Sequence, residues 1–281
     1  MLPALRLVGQ DRATGNDIGN AMAELITRRD GPVATILFSN PAKMNAMSYD
    51  MWRAVPQTMA ELDRDPSVRV IVVAGDGDKA FISGADISQF EKLRGTAEAQ
   101  AVYNQAVEQA YIAPMQCAKP VIARIRGVCM GGGLGFAAAC DLRFAADDAV
   151  FRMPAARLGL GYGYDGVLRF MNVLGAANTV DIFISARKFG AAEALRMGFL
   201  SRVIPAADLG REVSEYCATI AENAPLTIAA VKFAAQQWLK DPGERDAATA
   251  ARMVEACFAS DDHKEGRRAF MEKRKPDFKG I

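Results

Sequence analysis

The segment that most constrains the fold runs from Lys119 to Asp141 and reads KPVIARIRGVCMGGGLGFAAACD. It begins with a β-rich run, Pro120 to Ile125, reaches three glycines at 131–133, and ends with small apolar residues, Leu134 to Cys140. This pattern predicts a strand, a glycine turn and the start of a buried helix. Glycines let a backbone approach a ligand or another element closely, and the first amides of a helix have no intrahelical acceptor. The turn therefore suits either tight helix–sheet packing or the binding of an oxyanion.

A second segment, Ala80 to Phe90, has related features and reads AFISGADISQF. An apolar run leads into a glycine, and Asp86 and Ser88 then stand at the start of a predicted helix. The backbone amide of Ala85 is a second candidate donor for an oxyanion. Two such turns favour the oxyanion interpretation over packing alone.

These two segments, in this order, resemble the crotonase (enoyl-CoA hydratase/isomerase) superfamily, and the resemblance extends from about residue 34 to the C-terminus. The resemblance implies an α/β fold, with a crotonase-type β-β-α spiral core and a C-terminal helical subdomain. It also implies an enzyme of fatty acid metabolism that acts on an acyl-CoA thioester. The motifs that carry it are Asn45-Ala46-Met47, Ser83-Gly84-Ala85-Asp86, Lys119 to Ala123, Gly131-Gly132-Gly133, Cys140-Asp141, Ala191 to Ala194 with Gly198-Phe199, and Glu265-Gly266 to Phe278-Lys279.

The chain of 281 residues is long enough for one large domain with an appendage. We expect an N-terminal extension over 1–23, a spiral acyl-CoA-binding core over 24–205 and a helical oligomerisation subdomain over 206–281. Asp30-Gly31 between two apolar runs predicts a hairpin. Ser48 is a predicted N-cap for a helix from Tyr49 to Arg64, and a second helix is predicted over 95–117. Four helices are predicted after residue 205.

Charge and cysteine content limit the partners that we expect. The chain has 34 basic and 33 acidic residues, a net charge of +1, which gives no general attraction to nucleic acid or to a membrane. Its five cysteines show no metal-binding spacing and predict reduced thiols in the cytoplasm. No apolar run is expected to span a bilayer. We expect no metal and no cofactor, since coenzyme A would enter as part of the substrate.

The resemblance places an oxyanion hole at the amides of Ala85 and Gly132, where it would stabilise the enolate of a thioester. The family's hydratases also use two glutamates, and here their positions hold Gly135 and Ala155. Neither residue can transfer a proton. The loop 160–166 contains Asp165, which we expect either to replace the lost acid/base group or to cap the following helix. Tyr162 and Tyr164 of this loop are expected to be pocket walls.

The resemblance also implies a binding site for coenzyme A and the acyl group. Lys43 is either a phosphate ligand or an ordinary surface lysine, and the tail residues Phe270 and Lys273 either contribute to this site or form a solvated basic end. Local sequence makes Asp86 and Asp141 structural residues that bond backbone amides. The candidate substrate-binding residues are Lys43, Asn45, Ala46, Ala80, Ser83, Asp86, Gly131, Ala155, Tyr162, Tyr164, Phe270 and Lys273.

Three hypotheses about function remain open. The first is an enoyl-CoA hydratase/isomerase-like enzyme with a non-standard acid/base group. The second is a decarboxylase or thioester hydrolase with the same oxyanion hole, which Arg124 or Arg126 near the acyl pocket would favour. The third is a non-catalytic acyl-CoA-binding protein. His263 lies in a charged run and is expected at the surface. The resemblance implies a homotrimer, or a homohexamer made of two trimers.

Overall fold

The structure is a computed structural model that describes residues 23–281, so the predicted N-terminal extension lies, apart from Ala23, outside the described residues. Strands and helices alternate up to residue 204, and helices follow. The strands are β1 (Glu24–Asp30), β2 (Val33–Ser39), β3 (Val70–Gly75), β4 (Ala80–Ile82), β5 (Val121–Ile125), β6 (Val128–Met130), β7 (Leu142–Ala146), β8 (Val150–Arg152), β9 (Lys188–Gly190) and β10 (Arg202–Ile204). The helices are α1 (Tyr49–Arg64), α2 (Phe90–Leu93), α3 (Ala97–Gln116), α4 (Gly132–Ala139), α5 (Tyr164–Ser185), α6 (Ala191–Arg196), α7 (Leu209–Ala221), α8 (Pro225–Trp238), α9 (Ala247–Ala259) and α10 (Asp261–Glu272).

Successive strands join two different sheets. A six-stranded sheet has the order β1-β2-β3-β5-β7-β10, and a four-stranded sheet has the order β4-β6-β8-β9. Each of the pairs β3-β4, β5-β6 and β7-β8 therefore contributes one strand to each sheet, and helices follow each pair. Within the large sheet every pairing after the β1-β2 hairpin is parallel. These repeats confirm the predicted α/β fold with a β-β-α spiral core.

Local signals in the sequence are confirmed where short-range chemistry decides the conformation. The hairpin pairs Asp30 with Val33, and Gly31 at its tip has a φ of 53°, which glycine adopts readily. Ser48 caps α1 by accepting a hydrogen bond of 3.2 Å from the Met51 amide. The four predicted helices after residue 205 correspond to α7 to α10.

The helical tail is attached to the core by an ion pair between a buried lysine and a part-buried aspartate. Lys232 on α8 donates to Asp141 Oδ2 at 2.6 Å and to the carbonyl oxygens of Pro114 and Lys119, each at 2.9 Å. All three ammonium protons thus have acceptors inside the protein. Asp141 also accepts a bond from the Val121 amide, which confirms its structural role. Burial raises the pKa of Asp141, and the Lys232 ammonium opposes that shift.

Helix α5 differs from the expectation that no segment could span a bilayer. By length and composition alone, this helix is long and apolar enough to cross a membrane, and 28% of its most apolar window is buried inside the protein. Gly175 has non-helical dihedrals, φ 73° and ψ 167°, and divides α5 into two parts. Each part is shorter than the roughly 20 residues that a spanning helix needs. Val180 and Ile184 on the second part are exposed apolar side chains.

Candidate active site

The two glycine-containing segments meet at a cavity of about 360 Å³. Ala85 and Gly132 both line it. The two turns are in contact, because a Cβ on Gly131 would lie 3.9 Å from the Gly84 Cα. Gly131 has φ 50° and ψ −115°, a conformation that other residues rarely adopt. The described residues around the cavity are Trp52, Ser83, Gly84, Ala85, Ile87, Phe90, Arg94, Tyr103, Asn104, Val107, Glu108, Tyr111, Gly131, Gly132, Met153, Pro154, Ala155, Leu158, Leu160, Gly161, Tyr162, Gly163 and Gly166.

The backbone N–H groups of both candidate residues, Ala85 and Gly132, have no hydrogen-bond acceptor in the described part of the chain. Met47 holds the neighbours of Ala85 in place, since its amide donates to Gly84 O and its carbonyl accepts from the Asp86 amide, each at 2.8 Å. These bonds leave the Ala85 N–H without a backbone acceptor among the described residues. Gly132 is the first residue of α4, so its amide has no intrahelical acceptor. The cavity therefore has two backbone donors available for an oxyanion.

The three glycines divide between packing of the helix and lining of the cavity. A Cβ on Gly133 would lie 2.3 Å from the carbonyl oxygen of Ile82, so this glycine lets α4 pack directly against β4. Gly131 and Gly132 instead face the cavity. Close packing at one glycine thus fixes the position of the helix start at the other two.

Two tyrosines occupy the space in which a side chain at position 135 would lie. A Cβ on Gly135 would be 2.9 Å from the Tyr111 hydroxyl and 3.0 Å from the Tyr162 hydroxyl. Tyr111 donates a hydrogen bond of 3.2 Å to Gly132 O, while the Tyr162 hydroxyl has no partner among the described residues. Burial raises the pKa of Tyr162 to about 12 and that of Tyr111 well above 10, so both phenols stay protonated at neutral pH. They can donate hydrogen bonds but are poor bases.

Glu108 is the one carboxylate among the described residues that line the cavity. It lies on α3 with Asn104, Val107 and Tyr111, a spacing of three, four and seven residues that puts all four on one helix face. The buried Arg169 donates to Glu108 Oε1 at 2.6 Å. Glu108 is not among the site residues predicted from the sequence. Polar residues at positions 104 and 108 lie within the apolar stripe of this helix, and this pattern could have indicated a polar site there.

The structure places Asp165 outside the cavity. Helix α5 begins at Tyr164 with Gly163 as its N-cap, and no side chain caps it, so the interpretation of Asp165 as the N-cap is wrong. Gly166 is buried against the Tyr162 ring, which leaves the neighbouring Asp165 exposed in the first turn. Tyr164 is 76% exposed and does not line the cavity, contrary to its expected role as a wall, whereas Tyr162 does line it.

The candidate coenzyme A residues near the N-terminal side of the site are held in a hydrogen-bonded loop. Asn45 is buried and donates to Ala80 O at 2.8 Å, which ties the 40–47 loop to β4. Lys43 Nζ lies 2.8 Å from Asp86 Oδ2, and Asp86 also accepts a bond from the Ser88 amide. The structural role expected for Asp86 is thereby confirmed. The Asn40 side chain donates a hydrogen bond to the carbonyl oxygen of Ala46 in the same loop.

The remaining candidates divide between the cavity and the surface. Ser83, Gly131 and Ala155 line the cavity. Phe270 is 82% exposed near the end of α10, Lys273 follows that helix, and neither lines this cavity within one chain.

The arginines that would have favoured decarboxylation lie elsewhere. Neither Arg124 nor Arg126 lines the cavity, so they do not have the position near the acyl pocket that would have favoured decarboxylation. Arg126 pairs with Asp78 at 2.8 Å. His263 lies in the first turn of α10 beside Phe258, away from the described cavity lining.

Comparisons with known proteins agree with this architecture. The family model described as enoyl-CoA hydratase/isomerase matches residues 28–281. The crotonyl-CoA hydratase of Syntrophomonas wolfei is 30% identical, over 92% of this chain and 98% of the relative. A peroxisomal Δ(3,5)-Δ(2,4)-dienoyl-CoA isomerase of Arabidopsis thaliana is also 30% identical, over 89% and 93%. A crystal structure of an enoyl-CoA hydratase/carnithine racemase from Magnetospirillum magneticum superimposes with a TM-score of 0.86 at 32% identity, covering 93% of this chain and 97% of that one.

Proposed function

Because the chain belongs to the enoyl-CoA hydratase/isomerase family, we propose that it isomerises enoyl-CoA thioesters, with Glu108 as the single acid/base group. The observation that carries this proposal is the cavity itself. Two unpartnered backbone amides and one carboxylate, that of Glu108, lie in the same described lining. A base and an oxyanion hole are the two elements that abstraction of a proton next to a thioester carbonyl needs.

The amides of Ala85 and Gly132 are proposed as the oxyanion hole. Removing a proton from C2 of a 3-enoyl thioester moves the electron pair of the C–H bond toward the carbonyl oxygen. Two fixed N–H groups stabilise the charge that develops there, and losing one donor of this kind typically costs about 2.7–4 kcal/mol. Because they belong to the backbone, these donors tolerate the sequence changes at positions 135 and 155.

Glu108 is proposed as the group that carries the proton. It takes the proton from C2 of the 3-enoyl thioester, the double bond shifts into conjugation, and Glu108 returns the proton to C4. The atoms balance without water or a second carboxylate. Arg169 donates a hydrogen bond of 2.6 Å to Glu108 Oε1 and so holds the carboxylate in position.

The two tyrosines support isomerisation over hydration by the two-glutamate route. Tyr111 and Tyr162 occupy the space next to Gly135, and the second position holds Ala155. The cavity thus offers one carboxylate where two-glutamate hydration uses two. The protonated phenols can orient the thioester or its enolate but do not replace a second base.

The test is the conversion of 3-enoyl-CoA to 2-enoyl-CoA, followed by the absorbance of the conjugated thioester. Wild type should produce the conjugated isomer, and Glu108→Gln should lower kcat by roughly 10²–10⁴-fold, as expected for loss of a general base. Asp165→Asn is the matched control, because it neutralises an exposed carboxylate outside the cavity. Activity that survives in Glu108→Gln and falls in Asp165→Asn would reverse the assignment. Production of the 3-hydroxyacyl thioester by wild type would contradict isomerisation.

We also propose that the chain assembles as a trimer or as a hexamer of two trimers. The support is the set of large apolar side chains that one chain leaves exposed on α5 and on the helical tail, namely Val180, Ile184, Trp238, Phe258 and Phe270. Light scattering coupled to size-exclusion chromatography would measure the mass of the assembly. A monomeric mass at micromolar concentration would refute this proposal.

A further inference from the structure

The cavity contains buried hydrogen-bond donors that have no acceptor. Trp52 Nε1, the Tyr103 hydroxyl and the Tyr162 hydroxyl are buried and belong to residues that line the cavity. The Trp52 N–H faces the Tyr103 oxygen and the Tyr111 hydroxyl faces the Tyr162 oxygen, but the O–H groups of Tyr103 and Tyr162 have no acceptor in the described part of the chain. Buried polar atoms in native proteins are paired in the large majority of cases, with protein or with bound molecules. Two hydroxyl donors without an acceptor around one cavity therefore indicate that its occupant supplies oxygen acceptors.

Arg94 adds a positive charge to this set. Its guanidinium lies 4.4 Å from the centre of the Phe90 ring and 5.2 Å from that of Tyr103, so two aromatic rings hold it at the cavity wall. Glu108, the carboxylate of the described lining, is bonded to Arg169 and not to Arg94. The Gln100 side chain, with its oxygen turned toward the guanidinium, gives Arg94 a neutral acceptor.

We infer that the acyl group of the substrate carries a carboxylate, which pairs with Arg94. This inference rests on the proposed function, since it assumes that an acyl-CoA thioester occupies the cavity. An alkyl chain would leave the hydroxyl donors of Tyr103 and Tyr162 unsatisfied and the charge of Arg94 without a counterion. A carboxylate on the acyl chain offers two oxygens to Arg94 and to the neighbouring Tyr103 hydroxyl, and bonds of this kind are the stronger ones in proteins. The substrate class is the monothioester of a dicarboxylic acid.

The test compares pairs of saturated thioesters that have the same chain length and differ at the end of the chain. Butanoyl-, pentanoyl- and hexanoyl-CoA end in a methyl group, while succinyl-, glutaryl- and adipyl-CoA end in a carboxylate. Dissociation constants are measured by isothermal titration calorimetry for wild type, Arg94→Met and Arg94→Lys, with free coenzyme A as the reference. Thermal unfolding of each variant verifies that it is folded.

For at least one chain length, the carboxylate thioester should bind wild type about tenfold more tightly than its methyl partner, as expected for a charge-assisted hydrogen bond. Arg94→Met should abolish this preference without weakening the methyl partner, and Arg94→Lys should retain part of it. Equal binding of the pairs at every length would overturn the inference and leave the proposed function intact. Equal weakening of both partners by Arg94→Met would also overturn it, because Arg94 would then contact coenzyme A. If no thioester bound more tightly than free coenzyme A, both the inference and the proposed function would fail.

Discussion

Adding a side chain at position 135 tests whether Tyr111 and Tyr162 occupy the space that such a side chain would need. Gly135 lies inside α4 with ordinary helical dihedrals, so alanine there introduces no backbone strain. The new Cβ would stand 2.9 Å from the Tyr111 hydroxyl, 3.0 Å from its Cζ atom and 3.0 Å from the Tyr162 hydroxyl. These distances are shorter than van der Waals contact, and all of the atoms belong to residues held in the core.

The magnitude follows from two opposing effects of Gly135→Ala. Overpacking of a filled core typically costs about 1–3 kcal/mol, and alanine in place of a helical glycine contributes up to about 1 kcal/mol of stability. We expect the free energy of unfolding to fall by roughly 1–2 kcal/mol. In a background with Tyr111→Phe and Tyr162→Phe, two of the three close contacts are absent. The same alanine should then be neutral or stabilising.

The assay is urea unfolding at fixed protein concentration, followed by circular dichroism, for the four proteins of this double-mutant cycle. The phenylalanine background also loses the bond from Tyr111 to Gly132 O, worth about 0.5–1.5 kcal/mol, but this loss is the same on both sides of the cycle. An equal effect of Gly135→Ala in the two backgrounds, or a stabilised single variant, would show that the two tyrosine hydroxyls do not fill the space beside Gly135.

Three further predictions concern the buried groups of the core. Lys232→Met leaves the part-buried Asp141 without its ion-pair partner and should lower the free energy of unfolding by at most about 3–5 kcal/mol, the cost for a fully buried pair. Lys275→Met breaks an exposed pair and should cost less than about 1 kcal/mol. Because folding raises the pKa of Tyr162 from 10 to about 12, its contribution to stability is complete below pH 10 and is lost as pH rises toward 12. Urea titrations should therefore show wild type losing more stability than Tyr162→Phe over this range, and parallel curves would contradict the shift. Cys257 is the partly exposed thiol, while burial raises the pKa of the other four thiols. A thiol reagent should therefore modify one cysteine per folded chain rapidly. Rapid modification of two or more cysteines would contradict this expectation.

Features with local causes could be predicted from the sequence. The hairpin at Gly31 depends on a glycine that tolerates positive φ, and the start of α1 depends on a side chain, Ser48, that bonds an amide three residues away. The glycine turn at 131–133 predicted a ligand-facing helix start because its chemistry is in the backbone. The resemblance, rather than periodicity, gave the β-β-α spiral, since strand–helix alternation alone also fits a flat sheet.

Features that depend on distant contacts could not be predicted in this way. Helix α3 lies between the core and the cavity, so one apolar stripe contains both core residues such as Tyr103 and the cavity-lining Glu108. Tyr111 and Tyr162 are 51 positions apart in the chain and meet only in the folded protein. The interpretation of Asp165 as a helix cap was wrong because α5 begins earlier, at Tyr164, without a side-chain cap to mark its first turn.

We propose that Glu108 removes a proton beside a thioester held in a backbone oxyanion hole. This proposal is tested by the exchange of the C2 protons of an acyl-CoA in D₂O. Mass spectrometry measures the deuterium incorporated into a saturated thioester by wild type, Glu108→Gln and Asp165→Asn. We expect rapid exchange by wild type and Asp165→Asn, and a decrease of at least about 100-fold in Glu108→Gln. Exchange that continues at the wild-type rate in Glu108→Gln would contradict this proposal.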